Sequence, residues 1–195
     1  MPIRGSKVVR CHGCGLHPED CLCDTLEPVA VAAASVVIFA HDLDAARPSN
    51  TGRLVARLVQ GSELLLHGAN RASARWRPEP GRRVLSLHPD GRLLTPEDRE
   101  GRPYLLVADG TWRQARRMAQ RIPALRDAEP VRVEPGREVP VLRQPTQPGL
   151  LCTLEAVARA LGILESRAVE EQLLAALDEV VARALARRRP RVVTP

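Results

Sequence analysis

Four cysteines crowd into residues 11–23, CHGCGLHPEDCLC, as two close pairs: Cys11 with Cys14, and Cys21 with Cys23. Two pairs of thiolates on a segment that folds back offer four sulfur ligands to a tetrahedral zinc ion. Residues 1–28 carry too few apolar side chains for a core of their own, so metal binding would supply their folding energy. With all four ligands from the protein, such a site is structural and keeps no open catalytic position. His12 and His17 are alternative ligands for one of the cysteines, and reduced thiols without metal are the bland reading of the cluster. The bunching of four of the five cysteines fits a reducing cytoplasm better than a disulfide framework.

A second stretch able to do chemistry is residues 104–123, YLLVADGTWRQARRMAQRIP. An apolar run, residues 104–108, has the length of one buried strand. Thr111 then stands as N-cap to a helix that starts at Trp112 and is closed by Pro123. Asp109 therefore sits where a strand hands over to a helix, and in open α/β sheets the crevice at that end of the strands binds ligands. Arg113, Arg117 and Arg121 share one face of the helix, and Trp112, Ala115, Ala119 and Ile122 share the other. The basic stripe reads equally as a solvated face or as a grip on a phosphate backbone.

Two more helix entrances carry polar groups. Ser49, Asn50 and Thr51 precede a helix over residues 54–58, where free backbone N–H groups either favour an anion or are simply capped. Residues 152–155, Cys-Thr-Leu-Glu, open another helix, with Glu155 in the capping-box position relative to Cys152. Between them, residues 70–80 hold Arg71, Arg75 and Arg77 in a basic loop, suited to phosphate or to solvent.

The elements that must position these groups alternate between strand and helix. Strands are expected at residues 29–40, 63–67, 84–87 and 104–108, with an exposed, alternating one at 131–134. The turn residues His88, Pro89, Asp90 and Gly91 end the third. A proline- and glutamine-rich loop spans residues 135–149, too long to be a mere turn. Helices follow from residue 152 to 163 and from 169 to 187, the latter with an apolar stripe of Val169, Leu173, Leu177, Val180 and Ala184, suited to packing on the sheet or to a dimer contact. The expected fold is thus α/β, a mostly parallel sheet flanked by helices, with residues 29–195 as one domain behind a zinc-binding module at 1–28.

Composition sets bounds on function. Of 195 residues, 44% are apolar, enough for a core, and the net charge of +6 favours a polyanionic partner. Lys7 is the only lysine, so the excess is almost wholly arginine, as a GC-rich genome produces without functional cause. An aromatic content of 2% argues against a base-stacking platform. No apolar run is long enough to span a membrane, and no signal core follows the N-terminus, which points to a cytoplasmic protein. Phosphate-loop and dinucleotide signatures are absent, as is a Ser-His-Asp set.

Four motifs in this order resemble the DTW-domain family: CHGCGLHPEDCLC, RPSNTGRL at residues 47–54, ADGTWRQARRM at 108–118, and LRQPTQPGLLCTLEAVA at 142–158. The Asp-Thr-Trp signature of that family, with one residue inserted, is matched by Asp109, Thr111 and Trp112. The resemblance implies a tRNA-uridine aminocarboxypropyltransferase. Such enzymes transfer the 3-amino-3-carboxypropyl group of S-adenosylmethionine to N3 of a tRNA uridine, uridine 47 of the variable loop in bacterial members, and release methylthioadenosine. It also implies a SPOUT-like fold whose C-terminal knot binds the co-substrate, placing the knot in the long loop and the helix entrance at Cys152. Two departures stand out. Cys152 replaces the usual serine of Ser-Thr-x-Glu, and sulfur is the poorer acceptor. The sequence His41-Asp42-Leu43-Asp44 replaces His-Pro-x-Glu, which leaves His41 without a carried-over role.

Carried onto this chain, the resemblance makes Asp109 the base or orienting group for uridine N3. Ser49, Asn50, Thr51 and Arg53 hold the amino-acid end or the target nucleotide, with Arg53 pairing to the methionine carboxylate. Thr111 and Trp112 border the co-substrate, and Thr146, Leu151, Thr153 and Glu155 line the adenosine pocket. Arg71, Arg75, Arg113 and Arg117 contact tRNA phosphates. The zinc ligands are Cys11, Cys14, Cys21 and Cys23. The protein would act as a monomer or homodimer. A methyltransferase on the same fold and a non-catalytic zinc-containing RNA-binding protein are the competing readings.

Overall fold

The computed structural model describes residues 9–68, 75–136, 142 and 149–188. Five strands, β1 (Ser35–His41), β2 (Glu63–His67), β3 (Val84–Leu93), β4 (Tyr104–Asp109) and β5 (Glu129–Arg132), form one sheet in the order β2-β1-β4-β3-β5. All four pairings are parallel. The central strands are apolar on both faces, as sheets covered twice must be. The helices are α1 (Asp42–Ala45), α2 (Gly52–Leu58), α3 (Trp112–Arg121), α4 (Pro123–Arg126), α5 (Thr153–Leu164) and α6 (Arg167–Arg188).

Strand alternation sorts side chains into two cores. Val36, Ile38 and Ala40 of β1, with Leu105 and Val107 of β4, face Leu54, Val55 and Leu58 of α2 and the apolar sides of α5 and α6. Val37 and Phe39, with Tyr104 and Leu106, face Met118, Ile122 and Leu125 on the other side. The stripe expected on α6 joins the larger core, where Leu173, Leu177 and Val180 are buried. Cys14, Leu16, Leu22 and Leu26 belong to that same core, so the cysteine segment packs directly against the sheet domain. Arg57 adds a bond to the Cys23 carbonyl at 2.6 Å, and Arg187 of α6 grips Glu19 at 2.6 Å and also Asp20.

Some expected elements shift. The run at residues 29–40 does not form one strand: Val29 makes an isolated bridge to Val59, and the ladder begins at Ser35. The reason lies between them, where the N–H groups of Ala32 and Ala33 donate to the Glu165 carboxylate instead of to a neighbouring strand. His88 to Gly91 do not end β3. They form an irregularity inside it, after which Arg92 and Leu93 pair with β5 again. Gly91 permits this, since a Cβ there would lie 2.5 Å from the Val131 nitrogen. The strand expected at 131–134 runs from Glu129 to Arg132, with Glu129 and Pro130 exposed and Val131 fully buried in the larger core. The knot expected over the long loop falls on residues 137–141 and 143–148, outside the described residues.

Candidate active site

β1 and β4 lie side by side, with Ala40 in register with Asp109. The helices that follow them pack on opposite faces, α2 in the larger core and α3 in the smaller. This is a topological switch point, and in open α/β sheets the crevice beyond the strand ends at such a point is where ligands bind. By alternation Asp109 falls on the same side as Leu105 and Val107, toward α2 and α5, where a further apolar side chain would continue the core.

A carboxylate only 3% exposed needs donors, and the entrances of α2 and α5 bring them. Asn50 Nδ2 donates to Asp109 Oδ2 at 2.5 Å, and Thr153 Oγ1 donates to Asp109 Oδ1 at 2.5 Å. Thr51 Oγ1 accepts from the Leu154 N–H at 3.2 Å, tying the two entrances to each other. Asn50 Oδ1 in turn accepts from the Arg53 N–H at 3.3 Å. Gly52 lets α2 approach: a Cβ on it would stand 2.5 Å from the carboxylate carbon of Asp109. Three segments far apart in sequence thus meet on one buried anion.

The remaining expected residues fall in several places. Ser49 is half-buried beside Asn50, and Leu151 and Trp112 are half-buried at the ends of the crevice loops. Thr111 caps α3, with the Gln114 side-chain oxygen accepting from its N–H at 2.7 Å and the Gln114 N–H bonding back to its hydroxyl. Arg53 does not present a free fork. Its Nη2 donates to the carbonyls of Ala45 and, at 2.7 Å, Arg47, and burial pushes its pKa down. Glu155 does not complete a capping box. Cys152 holds the N-cap position without a side-chain capping bond, and Glu155 turns to Arg159, which also reaches Glu170. Burial raises the Cys152 thiol pKa, so it stays protonated near neutral pH.

Arg113 and Arg117 are exposed on α3. Arg75 lines a surface groove of about 570 Å³ with Trp76, Arg77 and Pro123, beside Val84 at the start of β3. Tyr104, in register with Val84, lies five residues before Asp109, so the groove is about 16 Å or more from the crevice at ~3.3 Å per strand residue. Thr146 and Arg71 lie outside the described residues.

Sequence reasoning missed two participants. Gln114 Nε2 lies 3.1 Å from His41 Nδ1, and because the Gln114 oxygen already accepts from Thr111, the amide donates and His41 Nδ1 accepts. The Thr-x-x-Gln spacing at residues 111–114 was the available signal. Gly52 carried none, since only the approach of a distant strand requires it.

The four expected metal ligands come together. The Sγ atoms of Cys11, Cys14, Cys21 and Cys23 all lie within 4.8 Å of one another. By pair, Cys11 to Cys23 is 3.4 Å, Cys11 to Cys21 is 3.5 Å and Cys14 to Cys21 is 3.8 Å. Four sulfurs at about 2.3 Å from a tetrahedral ion stand about 3.8 Å apart, so the cluster could hold a zinc-sized metal with little adjustment. The thiols already share charge. Burial works to raise Cys11, but hydrogen bonds from the Cys14 backbone and the Cys23 thiol outweigh it and lower it to about 6. Burial and the neighbouring Cys11 push Cys23 up to about 12.

A doubly covered parallel sheet, a buried carboxylate at its switch point and a four-cysteine cluster able to hold a metal define an α/β domain with a candidate ligand site. The chain matches the DTW domain over residues 8–185 and belongs to the DTW domain family. It is similar to tRNA-uridine aminocarboxypropyltransferase 2 of Drosophila melanogaster, 29% identical over 177 residues, which cover 85% of this chain and 70% of that protein. No solved structure matches it. Among the described residues, no helix is long and apolar enough to cross a membrane.

Proposed function

We propose that this protein transfers the 3-amino-3-carboxypropyl group of S-adenosylmethionine to N3 of a tRNA uridine, uridine 47 of the variable loop, in the cytoplasm. One observation carries the reading: Asp109, Asn50 and Thr153, drawn from three motifs, converge on one buried anion in the switch-point crevice. The family membership and the name of the fly relative supply the reaction class.

The residues around the crevice suit that co-substrate. A buried carboxylate among amide and hydroxyl groups offers negative charge where a sulfonium would be favoured. Bound there, S-adenosylmethionine would supply an electrophilic γ-carbon and a ready leaving group. The N3–carbon bond forms as the carbon–sulfur bond breaks, the electron pair stays on sulfur in methylthioadenosine, and the N3 proton is given up to a base. With the leaving group provided, alignment is the main task of the protein. Both Asp109 oxygens already accept hydrogen bonds, which supports an orienting role over that of a free base. Ser49, Thr51 and Thr111 offer polar contacts at the same loops, and Leu151, Trp112 and Thr146 would enclose the adenosine. Glu155 acts through its bond to Arg159, which fixes the first turns of α5. Arg53 is partly spent on carbonyls, so its share is to hold the 45–53 loop and present its remaining nitrogens.

Zinc on the four cysteines would lock the N-terminal segment, as a structural ion. Arg113, Arg117, Arg75 and Arg71 supply positive charge for tRNA. The chain acts as a monomer or homodimer. The deciding experiment incubates the purified protein with unmodified tRNA and S-adenosylmethionine and follows nucleosides and small products by mass spectrometry. The expected products are 3-(3-amino-3-carboxypropyl)uridine and methylthioadenosine. S-adenosylhomocysteine would mean a methyltransferase, and tRNA binding without product a binding protein.

A further inference from the structure

Between the cysteine segment, the loop before α2 and the end of α6 lies a cavity of about 210 Å³, walled by Arg10, Gly15, His17, Asp20, Pro48 and Arg187 among others. Its charges are unbalanced. Arg187 is already engaged by Glu19 and Asp20. Arg10 is not. Among the described residues its Nη1 makes one long contact, 3.5 Å, to the Gly15 carbonyl, and its buried Nε meets no partner. Among the described residues no carboxylate pairs with it. Arg53, whose Nη1 lies on the far side of Gly15, also has a buried Nε without a partner, and the charge of Arg10 works against its own. Two half-buried guanidiniums close together, with donors to spare, are destabilising until an acceptor arrives.

The metal cluster does not account for Arg10. A zinc ion with four thiolates carries a net charge of about −2. Arg53 is attracted first to Asp109 and then to Cys14 and Cys11, and Arg57 donates to the Cys23 carbonyl, so two other cations already stand beside the cluster. Arg10 is the cation left over, and it faces the cavity.

We propose that this cavity is an oxyanion subsite that takes a backbone phosphate of the tRNA, with Arg10 as its principal donor. The inference rests on the tRNA reading above. Pro48 of the cavity wall and Asn50 beside Asp109 belong to one loop. A strand that delivers a base to the crevice therefore lays its backbone past Arg10. The cysteine segment becomes one wall of the RNA groove, which gives a structural metal a role in substrate affinity.

The test uses the full-length, metal-loaded protein and the variants Arg10→Gln and Arg10→Lys. Binding of fluorescently labelled tRNA is measured by anisotropy between 50 and 200 mM KCl, the range over which phosphate contacts dominate. The expected result is a roughly tenfold weaker affinity for Arg10→Gln at low salt and a log–log salt slope reduced by about one, with partial rescue in Arg10→Lys. Zinc content and S-adenosylmethionine affinity by calorimetry stay at native values. An unchanged slope overturns the subsite. So does loss of zinc, which would make Arg10 a counter-ion of the cluster. Loss of co-substrate affinity with tRNA binding intact would assign the cavity to a carboxylate and also overturn it. A native protein that binds no tRNA at all would remove the tRNA reading itself, whereas native binding with an unaltered variant removes only the subsite.

Discussion

Replacing Gly52 by alanine separates the geometry of the site from the stability of the fold. The new Cβ would lie 2.5 Å from both Cγ and Oδ2 of Asp109. Non-bonded carbons settle at about 3.5–4.0 Å, so helix or carboxylate must yield by about 1 Å. The carboxylate cannot swing away without breaking its bonds to Asn50 and Thr153. A 1 Å displacement costs on the order of 100-fold in rate where alignment drives the reaction. Stability responds less. Overpacking costs about 1–3 kcal/mol, while alanine gains up to ~1 kcal/mol over glycine in a helix, leaving a net loss of about 3 kcal/mol or less. The assay pairs kcat for modified uridine at saturating substrates with thermal unfolding followed by circular dichroism. Gly52→Ala should unfold cooperatively within about 10 °C of native while kcat falls by about two orders of magnitude. A folded variant with kcat within about threefold of native would refute the reasoning, because the carboxylate position would then not limit the rate.

Thr153→Val keeps the shape of the side chain and removes one donor to Asp109. A bond to a charged group is worth about 1.5–3 kcal/mol, so kcat should fall roughly 10- to 100-fold with KM for tRNA unchanged, as initial-rate kinetics will read. Cys21→Ser removes one of four sulfurs within 4.8 Å of one another, and metal analysis should find the bound zinc lost and the unfolding temperature lowered. Asp98 supplies a pH-dependent term. Its hydrogen bonds with Arg92, helped by the Thr95 N–H and Arg83, hold its carboxyl well below the usual range against the opposing effect of burial. A folded pKa below the unfolded value of about 3.9 means the stabilisation is complete above that pH and fades as pH falls through it. Thermal unfolding between about pH 2 and 6 should therefore show a steeper acid limb for the native protein than for Asp98→Asn, and parallel limbs would dismiss Asp98 as the source.

Much of this was legible in the sequence where one local signal decided the outcome. The apolar run before Asp109 and the Thr111 cap after it, with Pro123 as the stop, place β4 and α3 within a residue of their observed ends. Residues 63–67 form β2 as expected, since their apolar run has no competing partner. Legibility failed where a distant group took over. Glu165 captures the backbone of Ala32 and Ala33 and delays β1, and β5 draws Arg92 and Leu93 back into the sheet past a strong turn signal. Arg159 likewise takes Glu155 from the cap that its spacing suggested. At the candidate site, the motifs named loops that the structure brings together, but not the contacts between them. Nothing local says that Asn50 and Thr153 share one carboxylate, or that Arg53 spends half its fork on Ala45 and Arg47.

Burying Asp109 is expensive unless it is fully bonded, and two of its partners, Asn50 and Thr153, lie 59 and 44 residues away along the chain. The same bonds that arrange the crevice therefore also tie β4 to α2 and α5 across the larger core. Removing Asn50 or Thr153 leaves a buried charge short of a donor, so the effects of the two changes should not add. Such coupling leaves little freedom to vary these three residues, whatever nucleotide is read. On the proposed tRNA reading, discrimination between substrates falls to groups whose bonds are not shared with the core. On this chain those are the exposed arginines of α3 and the groove beside Trp76, where the charge can change while the sheet beneath it stays intact.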